Sequence, residues 1–437
     1  MSTIHDGDDL IRRERAVEHV LALRSALVDD LGTDSVALDR IAGRVLAEPV
    51  AAPADAPPAD FATMDGYAFD ATGSYPFRLR EGETFPEDEA AAIDAGEAVR
   101  IATGGRLPDG ANAVIKREDA TVEDGVLAAG PDVGPGTYVY GRASNVAAGE
   151  TLFEPGERLA PRDAILLGDL GLETVAVRER FSVGLLATGT EIHEGRSRDL
   201  DSAMLANLIR SWGHEPTYEG SVPDDFERVR DRVADLAATH DVVVTTGGTS
   251  VGRKDYAVRA LAALGDVLFH RVRIRPGKPL AAARLPDHGA VGLAVPGKPV
   301  GAHAVTTLVA RPLFVGRPDP LPTVPATLAR DVGLGPEGFD YVVPVTLTGG
   351  DGAVERGAAD LDAGEDTHEG EGGTGGPGRE AMPLGHVDSP LSVYEGTFDP
   401  SVLSSSTRAT RADGFVVTRE ALSAGDEVSV VPYAAVE

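Results

Sequence analysis

Three turns between Asp241 and Gly301 combine glycine, proline and a cation in a way that suits the binding of an anion. They read TTGGTSVGRKD, RPGKP and PGKP, and each follows a run rich in β-branched residues. Open α/β sheets bind anionic ligands at the carboxyl ends of their strands, where backbone N–H groups and cations gather. Three of the chain's four lysines lie in these turns: Lys254, Lys278 and Lys298, with Lys116 elsewhere. We therefore predict one anion site to which all three turns contribute.

The first turn, Gly247–Asp255, comes close to a phosphate-binding loop but differs from it in one position. Such a loop needs a lysine directly after its second glycine, and Arg253 occupies that position. The turn nevertheless keeps the physical features of a phosphate-binding loop, because glycines let backbone N–H groups approach an anion and the N-terminus of a helix follows. The predicted donors are Gly247, Gly248, Thr249 and Ser250. A purely structural turn between strand and helix would use glycines as well.

The other two turns are made rigid by proline and glycine, and both present cations. Arg275 and Lys278 belong to RPGKP, and Lys298 lies between Pro296 and Pro299 in PGKP. In a chain this poor in lysine, we interpret these cations as parts of the anion site. The alternative is that the same prolines and glycines simply end strands.

Two carboxylates follow strands near the predicted anion site. Glu191 ends the segment ATGTE, after Thr188 and Gly189, and Asp255 ends the glycine turn. Mg²⁺ prefers oxygen ligands and is commonly shared between carboxylates and phosphates. We therefore predict that Glu191 and Asp255 bind Mg²⁺, with helix capping as the alternative for Glu191. The ten histidines show no ligand spacing, and we interpret them as ordinary surface or capping residues.

The composition narrows the class of protein. The 437 residues include 70 acidic and 40 basic ones, for a formal charge of -30. A charge of this size with so few lysines indicates adaptation to concentrated salt, where repulsion is screened within about 3 Å at 1 M. No basic run exists to neutralise phosphates, so nucleic acid and anionic membranes are not expected partners. The absence of cysteine excludes disulfides and thiolate chemistry, and without an apolar signal or membrane segment we expect a cytoplasmic location.

Strands and helices alternate between Phe181 and Phe314. The sequence predicts strands at FSVGLLATG, DVVVTTGG, VLFHRVRIRPG and AVGLAVPG. It predicts helices at SAMLANLIRSWG, DDFERVRDRVADLAATH (capped by Asp224 or Asp225), KDYAVRALAALG and GAHAVTTLVARPLF. Such alternation is typical of a mostly parallel sheet covered by helices on both faces. Right-handed crossovers would bring the carboxyl ends of the strands, and hence the three turns and Glu191, to one edge.

The flanking segments predict smaller elements. We expect an amphipathic helix over residues 8–28, a β-rich module between Asp60 and Gly149, and a short helix over Arg162–Leu170. In FATMDGYAFD, we expect Met64, Tyr67 and Phe69 to be core residues. Short strands after Arg317 predict a small β-barrel or sandwich. The glycine- and acid-rich tract 349–379 has too few apolar residues to fold and is predicted to be a flexible loop.

Taken in order along the chain, these segments resemble the molybdopterin molybdenumtransferases, the MoeA/gephyrin family. DFATMDGYA at Asp60–Ala68 is similar to the signature D-x-S-x-M-D-G-Y-A, and RIATG with GANAV is similar to R-I-x-T-G and G-A-D-A-V. TGTE, GGTSVGRKD, RPGKP and PGKP resemble T-G-x-E, G-G-x-S-V-G-x-x-D, K-P-G-K-P and P-G-N-P. The resemblance covers nearly the whole chain.

The resemblance implies a multidomain α/β-plus-β fold with a central three-layer α/β/α molybdopterin-binding domain. It implies an N-terminal linking domain over residues 1–59 and 145–180, and an inserted β-rich module over 60–144. The α/β domain would span 181–317 and a C-terminal β-barrel 318–437. It also implies a homodimer in which the α/β domain of one subunit shares a site with N-terminal parts of the other.

The implied reaction is Mg²⁺-dependent insertion of molybdate into adenylylated molybdopterin, with release of AMP. The catalytic groups carried over are Asp60, Thr103, Glu191 and Asp255. The groups expected to bind the pterin and the oxyanions are Thr188, Gly189, Gly247, Gly248, Thr249, Ser250, Arg275, Lys278, Pro296, Lys298 and Pro299. A molybdopterin adenylyltransferase is the implied protein partner.

Several positions depart from the family pattern. They are Ala62 and Gly301 for serines, Thr151 for an acid, and Ala203 and Lys298 for asparagines. These departures leave two alternatives open within the family, namely a preference for tungstate or a pterin-binding paralogue with little catalysis. An enzyme similar to a molybdopterin adenylyltransferase is the third reading. It ranks last because MDGYA and the flanking β segments would then have no explanation.

Overall fold

The computed structural model describes residues 10–248, 255–316, 320–349 and 378–437, which form two compact units. One unit comprises the chain up to Leu31 together with Arg180–Glu437, and the other comprises Gly32–Glu179. In the described ranges, no helix is both long and apolar enough to cross a membrane. Thr249, Ser250 and most of the tract 349–379 lie outside the described residues, so the predictions made for them stay predictions.

The first unit begins with strand β1 (Leu10–Ile11) and helix α1 (Arg13–Asp30). The helix confirms the amphipathic pattern predicted over residues 8–28, although it starts later, after the short strand. Residues spaced by three or four positions face the interior of the unit, as expected for one stripe of a helix. They are Ala16, Val20, Leu23 and Leu27.

The unit Gly32–Glu179 is built mainly from short strands, as predicted. A six-stranded sheet has the order β8-β5-β7-β6-β10-β9, and the pairs β11-β4, β12-β3 and β13-β2 stand apart from it. Its elements are β2 (Thr33–Ala37), β3 (Val50–Ala51), β4 (Phe61–Ala62), β5 (Gly66–Phe69), β6 (Phe77–Thr84), β7 (Glu97–Ile101), β8 (Ala113–Lys116), β9 (Thr121–Glu123), β10 (Val126–Ala129), β11 (Val139–Tyr140), β12 (Thr151–Phe153), α2 (Asp163–Asp169) and β13 (Thr174–Arg178).

The last three residues of the MDGYA segment, Gly66–Ala68, belong to β5, which lies between β8 and β7 as the second strand of that sheet. Tyr67 and Phe69 are buried as predicted, but Met64 is 37% exposed, so its assignment to the core is wrong. Met64 precedes the strand, and the periodicity that buries Tyr67 and Phe69 does not extend to it.

The rest of the first unit starts with the predicted alternation of strands and helices. Its elements are β14 (Ser182–Thr188), α3 (Thr190–His193), α4 (Asp201–Ser211), β15 (Glu215–Val222), α5 (Phe226–Ala237), β16 (Val242–Thr246), α6 (Tyr256–Leu264), β17 (Asp266–Phe269), β18 (Arg271–Val272), β19 (Ile274–Arg275), β20 (Ala281–Leu285), β21 (Ala290–Val295), α7 (Pro299–Val305) and α8 (Arg311–Val315). The sheet order is β15-β14-β16-β21-β20-β17. Its first four strands are parallel, whereas β20 runs antiparallel to β21 and β17.

Helices cover both faces of this sheet, which confirms the three-layer arrangement. Alternate strand residues enter different cores because side chains of a strand point to opposite faces. Leu185 packs in the core that contains α1, α4 and α8, whereas Leu186 packs against α5 and α6. Asp225 caps α5 by accepting a hydrogen bond from Arg228 N, so one of the two predicted caps is confirmed.

Two predicted elements are divided in the structure. The segment VLFHRVRIRPG forms three short strands, β17, β18 and β19, of which β18 pairs with β1. The last predicted helix is interrupted by a wider π-helical turn, Thr306–Ala310, between α7 and α8. Within that turn Thr307 Oγ1 donates to the carbonyl of His303, 2.9 Å away. Such local hydrogen bonds compete with regular helix geometry.

The C-terminal strands close into a five-stranded barrel, so the barrel alternative is confirmed over the sandwich. Its strands pair in the cycle β23-β24-β22-β28-β27, and β27 returns to β23, while β19 joins β23 from outside. The elements are β22 (Val324–Leu328), β23 (Asp340–Thr348), β24 (Glu380–Pro383), β25 (Gly385–His386), β26 (Ser392–Tyr394), α9 (Pro400–Leu403), β27 (Gly414–Thr418) and β28 (Glu427–Pro432).

Candidate functional site

A cavity of about 490 Å³ opens where the three cation-bearing turns of the first unit meet. Gly247 and Gly248 follow β16, Arg275–Pro279 follow β19, and Pro296–Lys298 follow β21. β16 and β21 are neighbouring parallel strands, so their carboxyl ends lie at one edge of the sheet. Arg275–Pro279 reach the same place from β19, which pairs with the barrel strand β23 and not with this sheet. The helix α9 and Ser404 of the barrel complete the lining through Pro400, Ser401 and Ser404.

The glycine pair after β16 is required by close packing. Gly247 and Gly248 have φ angles of +79° and +62°, a region that favours glycine. A Cβ on Gly247 would lie 2.6 Å from the Thr188 carbonyl oxygen, and one on Gly248 would lie 2.8 Å from Thr188 Oγ1. Thr188 in turn donates its hydroxyl to the carbonyl of Thr246, 3.0 Å away. Thr188, the last residue of β14, therefore packs so closely against the turn beside the cavity that only glycines fit there.

Three cations line the cavity, and no Asp or Glu is among its described lining residues. The Arg275 guanidinium lies 4.4 Å from the centroid of the Phe339 ring, a cation–π contact that leaves its buried Nε without a hydrogen-bond partner. Burial, followed by the charges of Arg271 and Arg275, lowers the pKa of Lys278. Positive charge that is not neutralised by protein makes the cavity suited to an anionic ligand.

Lys298 links two parts of the cavity lining. Its Nζ donates a hydrogen bond to the Ser401 carbonyl at 3.1 Å, across the boundary between the α/β sheet and the barrel. Gly277, with φ +108°, allows α7 to approach the RPGKP turn, because a Cβ there would lie 2.9 Å from the Gly301 carbonyl. The three turns and α9 are thus held together by direct packing.

Asp255 is buried beside a histidine. Its Oδ2 lies 2.7 Å from His270 Nε2, although the two are not aligned as a hydrogen bond, and its Oδ1 has no partner among the described residues. Glu191 lies in the short helix α3 and is exposed. Both carboxylates offer the oxygen ligands that Mg²⁺ prefers. In the described ranges, however, no three His, Asp or Glu side chains come together as a preformed metal cage.

Asp60 and Thr103 belong to the unit Gly32–Glu179. Asp60 Oδ1 accepts a hydrogen bond from Arg142 N at 2.6 Å. Thr103 donates from its backbone N and from Oγ1 to Asp65 Oδ1, at 2.7 and 2.8 Å. These two bonds hold the pKa of Asp65 below its usual value. Hydrogen bonds from nearby residues therefore hold the exposed carboxylates of Asp60 and Asp65 in place.

Comparison with known proteins agrees with this architecture. A family model described as "MoeA N-terminal region (domain I and II)" matches residues 11–171, and one described as "Probable molybdopterin binding domain" matches residues 184–315. The molybdopterin molybdenumtransferase of Synechococcus elongatus is 31% identical over 323 residues, covering 69% of this chain and 79% of that one. The enzyme of the same name from Haemophilus influenzae is 30% identical over 297 residues, covering 64% and 72%.

The chain belongs to the molybdopterin molybdenumtransferase family. It is accordingly a transferase of the MoeA type. A solved structure agrees over the full length: the molybdopterin biosynthesis MoeA protein of Pyrococcus horikosii matches 97% of this chain and 99% of its own, with a TM-score of 0.71 and 26% identity.

Several predicted site residues of this family member lie together at the cavity, and others lie around it or elsewhere. Gly247, Gly248, Arg275, Lys278, Pro296 and Lys298 line the cavity. Thr188 packs behind the glycine pair, and Pro299 begins α7 next to Lys298. Gly189 directly precedes α3, and Glu191 lies within it. Asp60 and Thr103 belong to the other compact unit.

The sequence did not identify two mostly buried polar residues near these elements, His270 and Asp201. Interpreting every histidine as a surface or capping residue is wrong for His270, whose side chain is mostly buried against Asp255. Asp201 starts α4 and is only 6% exposed. In sequence, an acid at the start of a helix resembles an ordinary cap, so nothing marked it as unusual.

Proposed function

We propose that this transferase inserts molybdate into adenylylated molybdopterin, with Mg²⁺, and releases AMP. The observation that supports this most directly is the cavity with Arg275, Lys278 and Lys298 and no carboxylate among its described lining residues. Molybdate and the phosphates of the adenylylated pterin are both anions, and such a cavity can hold them close together. The surrounding α/β segment is the part of the chain matched by the molybdopterin-binding family model.

In this proposal the protein acts through charge neutralisation and positioning. Arg275 and Lys278 would bind the oxyanions, and the backbone N–H of Gly248 would add a donor. The N–H of Gly247 already donates to the Val295 carbonyl at 3.1 Å. Glu191 and Asp255 would hold Mg²⁺, which neutralises phosphate charge when it is bound. Positioned charges of this kind lower the barrier for departure of adenylate without a covalent nucleophile.

The direct test uses the purified protein in molar KCl with adenylylated molybdopterin, molybdate and Mg²⁺. We expect AMP release above a protein-free blank, and Asp255→Ala should remove it while the circular dichroism spectrum stays native. Absence of AMP release by the wild-type protein would refute the proposed reaction and favour a pterin-binding paralogue. AMP release that does not require Mg²⁺ would refute only the metal assignment.

A preference for tungstate is the second candidate, and Lys298 favours it. Lys298 stands where the family resemblance has asparagine, and its Nζ binds the Ser401 carbonyl at the edge of the cavity. An added cation and the missing hydroxyl at Gly301 change the groups available to an oxyanion. Competition between molybdate and tungstate in the AMP-release assay, for wild type and Lys298→Asn, measures this preference. Equal competition in both proteins would exclude it.

We also propose the homodimer and the four-part domain division expected from the resemblance. If Asp60 of one subunit acts with Asp255 of the other, a mixture of Asp60→Ala and Asp255→Ala proteins regains activity when subunits exchange. Neither variant alone should be active. No recovery after exchange, verified by mass spectrometry of the mixed dimers, would contradict the shared site.

The remaining proposals concern the setting of the enzyme. A molybdopterin adenylyltransferase would supply its substrate, and the location would be cytoplasmic. The charge of -30 supports adaptation to concentrated salt. Dialysis from molar KCl to low salt should then cause loss of structure, and a circular dichroism spectrum that stays native would contradict the adaptation.

A further inference from the structure

Asp201 is a buried carboxylate that has no structural partner in the described part of the chain. It is 6% exposed, and its Oδ1 is fully buried without a hydrogen bond. The adjacent Ser202 Oγ is also buried and unpartnered. Buried polar groups are almost always hydrogen-bonded, because an unpaired one loses its hydration without compensation. An unpaired carboxylate is therefore costly to the fold and calls for an explanation.

Helix capping does not provide that explanation. Asp199 already caps α4, because its Oδ1 accepts hydrogen bonds from the backbone N of Asp201 and of Ser202, at 3.1 and 3.0 Å. The backbone of Asp201 is part of α4, but its side chain has no hydrogen-bond partner among the described residues. Burial and the neighbouring Asp199 charge raise the pKa of Asp201 to about 6, so the ionised form that dominates at neutral pH is unfavourable in the fold.

The position of Asp201 connects it to the cavity. Gly247 and Gly297 both line the cavity. A Cβ built on Gly297 would lie 3.9 Å from Asp201 Oδ2 and 3.0 Å from the Gly247 Cα. Seen from the cavity, Asp201 thus lies directly behind the backbone of Gly247 and Gly297. Gly297 has no side chain that would separate Asp201 from the cavity.

The groups around Asp201 indicate what it could bind. A carboxylate only accepts hydrogen bonds, so its partner must donate them. The cavity cations Arg275, Lys278 and Lys298 suit the anionic end of a ligand, which leaves Asp201 for a different, donating end. A metal ion is a poorer occupant, because in the described ranges no third His, Asp or Glu joins Asp199 and Asp201.

We propose that Asp201 is a ligand-binding residue that accepts hydrogen bonds from the N–H edge of a planar heterocycle held in the cavity. This inference rests on the proposed function, whose substrate carries two such heterocycles. The amino and ring N–H groups of a pterin present two parallel donors, and the amino group of adenine presents one. Either would satisfy the buried carboxylate at the same time as the cations bind the phosphates.

The test compares Asp201→Asn with wild type in titration calorimetry, using AMP, a simple pterin and molybdate as separate probes. The substitution keeps the shape but replaces an acceptor by a donor, so binding of the recognised heterocycle should weaken about 10-fold or more. Molybdate binding should change less than about 2-fold. Asp235→Asn, which removes an exposed charge on α5, is the matched control and should change none of the three affinities.

The result with each probe has a defined meaning. Loss confined to the pterin, or confined to AMP, identifies the heterocycle that Asp201 binds. Unchanged affinity for both would overturn the proposal, and so would a loss confined to molybdate. If wild type binds neither heterocycle, this inference fails, whereas the proposed function is decided separately by the AMP-release assay.

Thermal unfolding of the same proteins separates ligand binding from a structural role. If Asp201 destabilises the fold and is retained because it binds the ligand, Asp201→Asn should have a higher melting midpoint and weaker ligand binding than wild type. A lower midpoint, or failure to fold, would show that the carboxylate supports the structure and would overturn the assignment.

Discussion

The polar groups behind the cavity and those of the MDGYA segment meet their hydrogen-bonding needs in opposite ways. Around the cavity, Asp201, Asp255 and Arg275 are largely buried and have atoms without a hydrogen-bond partner among the described residues. In the other unit, Asp60 and Asp65 are exposed and accept hydrogen bonds from Arg142 N and Thr103. Buried groups without partners are ready for a ligand, whereas exposed groups with partners are already satisfied. We therefore expect ligand contacts to involve the buried groups around the cavity more than the exposed carboxylates of the other unit.

The largest effect is expected at Asp255. Asp255→Asn removes a buried charge while preserving shape, and AMP release should fall about 100-fold or more because positioned charge carries this chemistry. The assay is the initial rate at saturating molybdate and Mg²⁺. A rate within about 3-fold of wild type would show that an unpartnered buried carboxylate here has no catalytic role.

A smaller effect is expected at His270, which contacts Asp255 through Oδ2. His270→Ala should lower the rate about 10-fold with little change in KM for molybdate, because it disturbs only the orientation of the carboxylate. His270→Gln keeps an N–H donor and should recover part of the loss. Equal loss in both variants, with a lowered melting midpoint, would indicate a packing role instead.

The cations should differ in their contribution according to burial. Arg275→Ala should weaken molybdate binding about 10-fold, and Lys298→Ala only about 3-fold, because exposed charges are better screened by water and salt. Calorimetry at 0.2 M and 2 M KCl measures both. The reverse order would mean that the exposed Lys298, with its contact to Ser401, dominates recognition.

Ionised Asp201 should lower the free energy of unfolding at neutral and alkaline pH. Its pKa is raised in the fold, so the penalty is absent below the unfolded value near 4, grows as pH rises through about 6, and is complete above it. Asp201→Asn should therefore raise the free energy of unfolding by about 2 kcal/mol at pH 8, after allowance for partial solvent screening, and by almost nothing at pH 4. Denaturant titrations at the two pH values give this difference. A gain of the same size at both would refute the electrostatic cause.

The smallest effect is expected in the MDGYA unit. Thr103→Val removes the hydroxyl bond to Asp65, whose pKa is lowered by the backbone and hydroxyl bonds of Thr103. That stabilisation is present above the unfolded pKa and is lost as pH falls through the folded one. We expect a slightly lower melting midpoint at pH 7 and a smaller difference at about pH 2, below the unfolded pKa. A large loss at pH 7 would show that the exposed segment matters more to stability than its hydrogen bonds indicate.

Local patterns were enough to predict much of the fold. The alternation from Phe181 to Phe314 predicted the three-layer domain, because strand and helix periods are readable from apolar spacing. The turn residues predicted the cavity, because ligands of open α/β sheets bind beyond the carboxyl ends of strands, where glycine gives close backbone approach and cations favour an anion. The division of VLFHRVRIRPG into three strands was not readable, since β18 and β19 are set by pairing with β1 and β23.

The sequence by itself determined which turns carry the cations and what kind of ligand they suit, since these are properties of neighbouring residues. Only the tertiary structure decided which side chains stand around that ligand. Lys298 meets the Ser401 carbonyl, Asp255 meets His270, and Asp201 stands behind Gly297 through packing between distant segments. No local pattern encodes such contacts. They arise because burial brings distant polar groups together and leaves some of them without a partner.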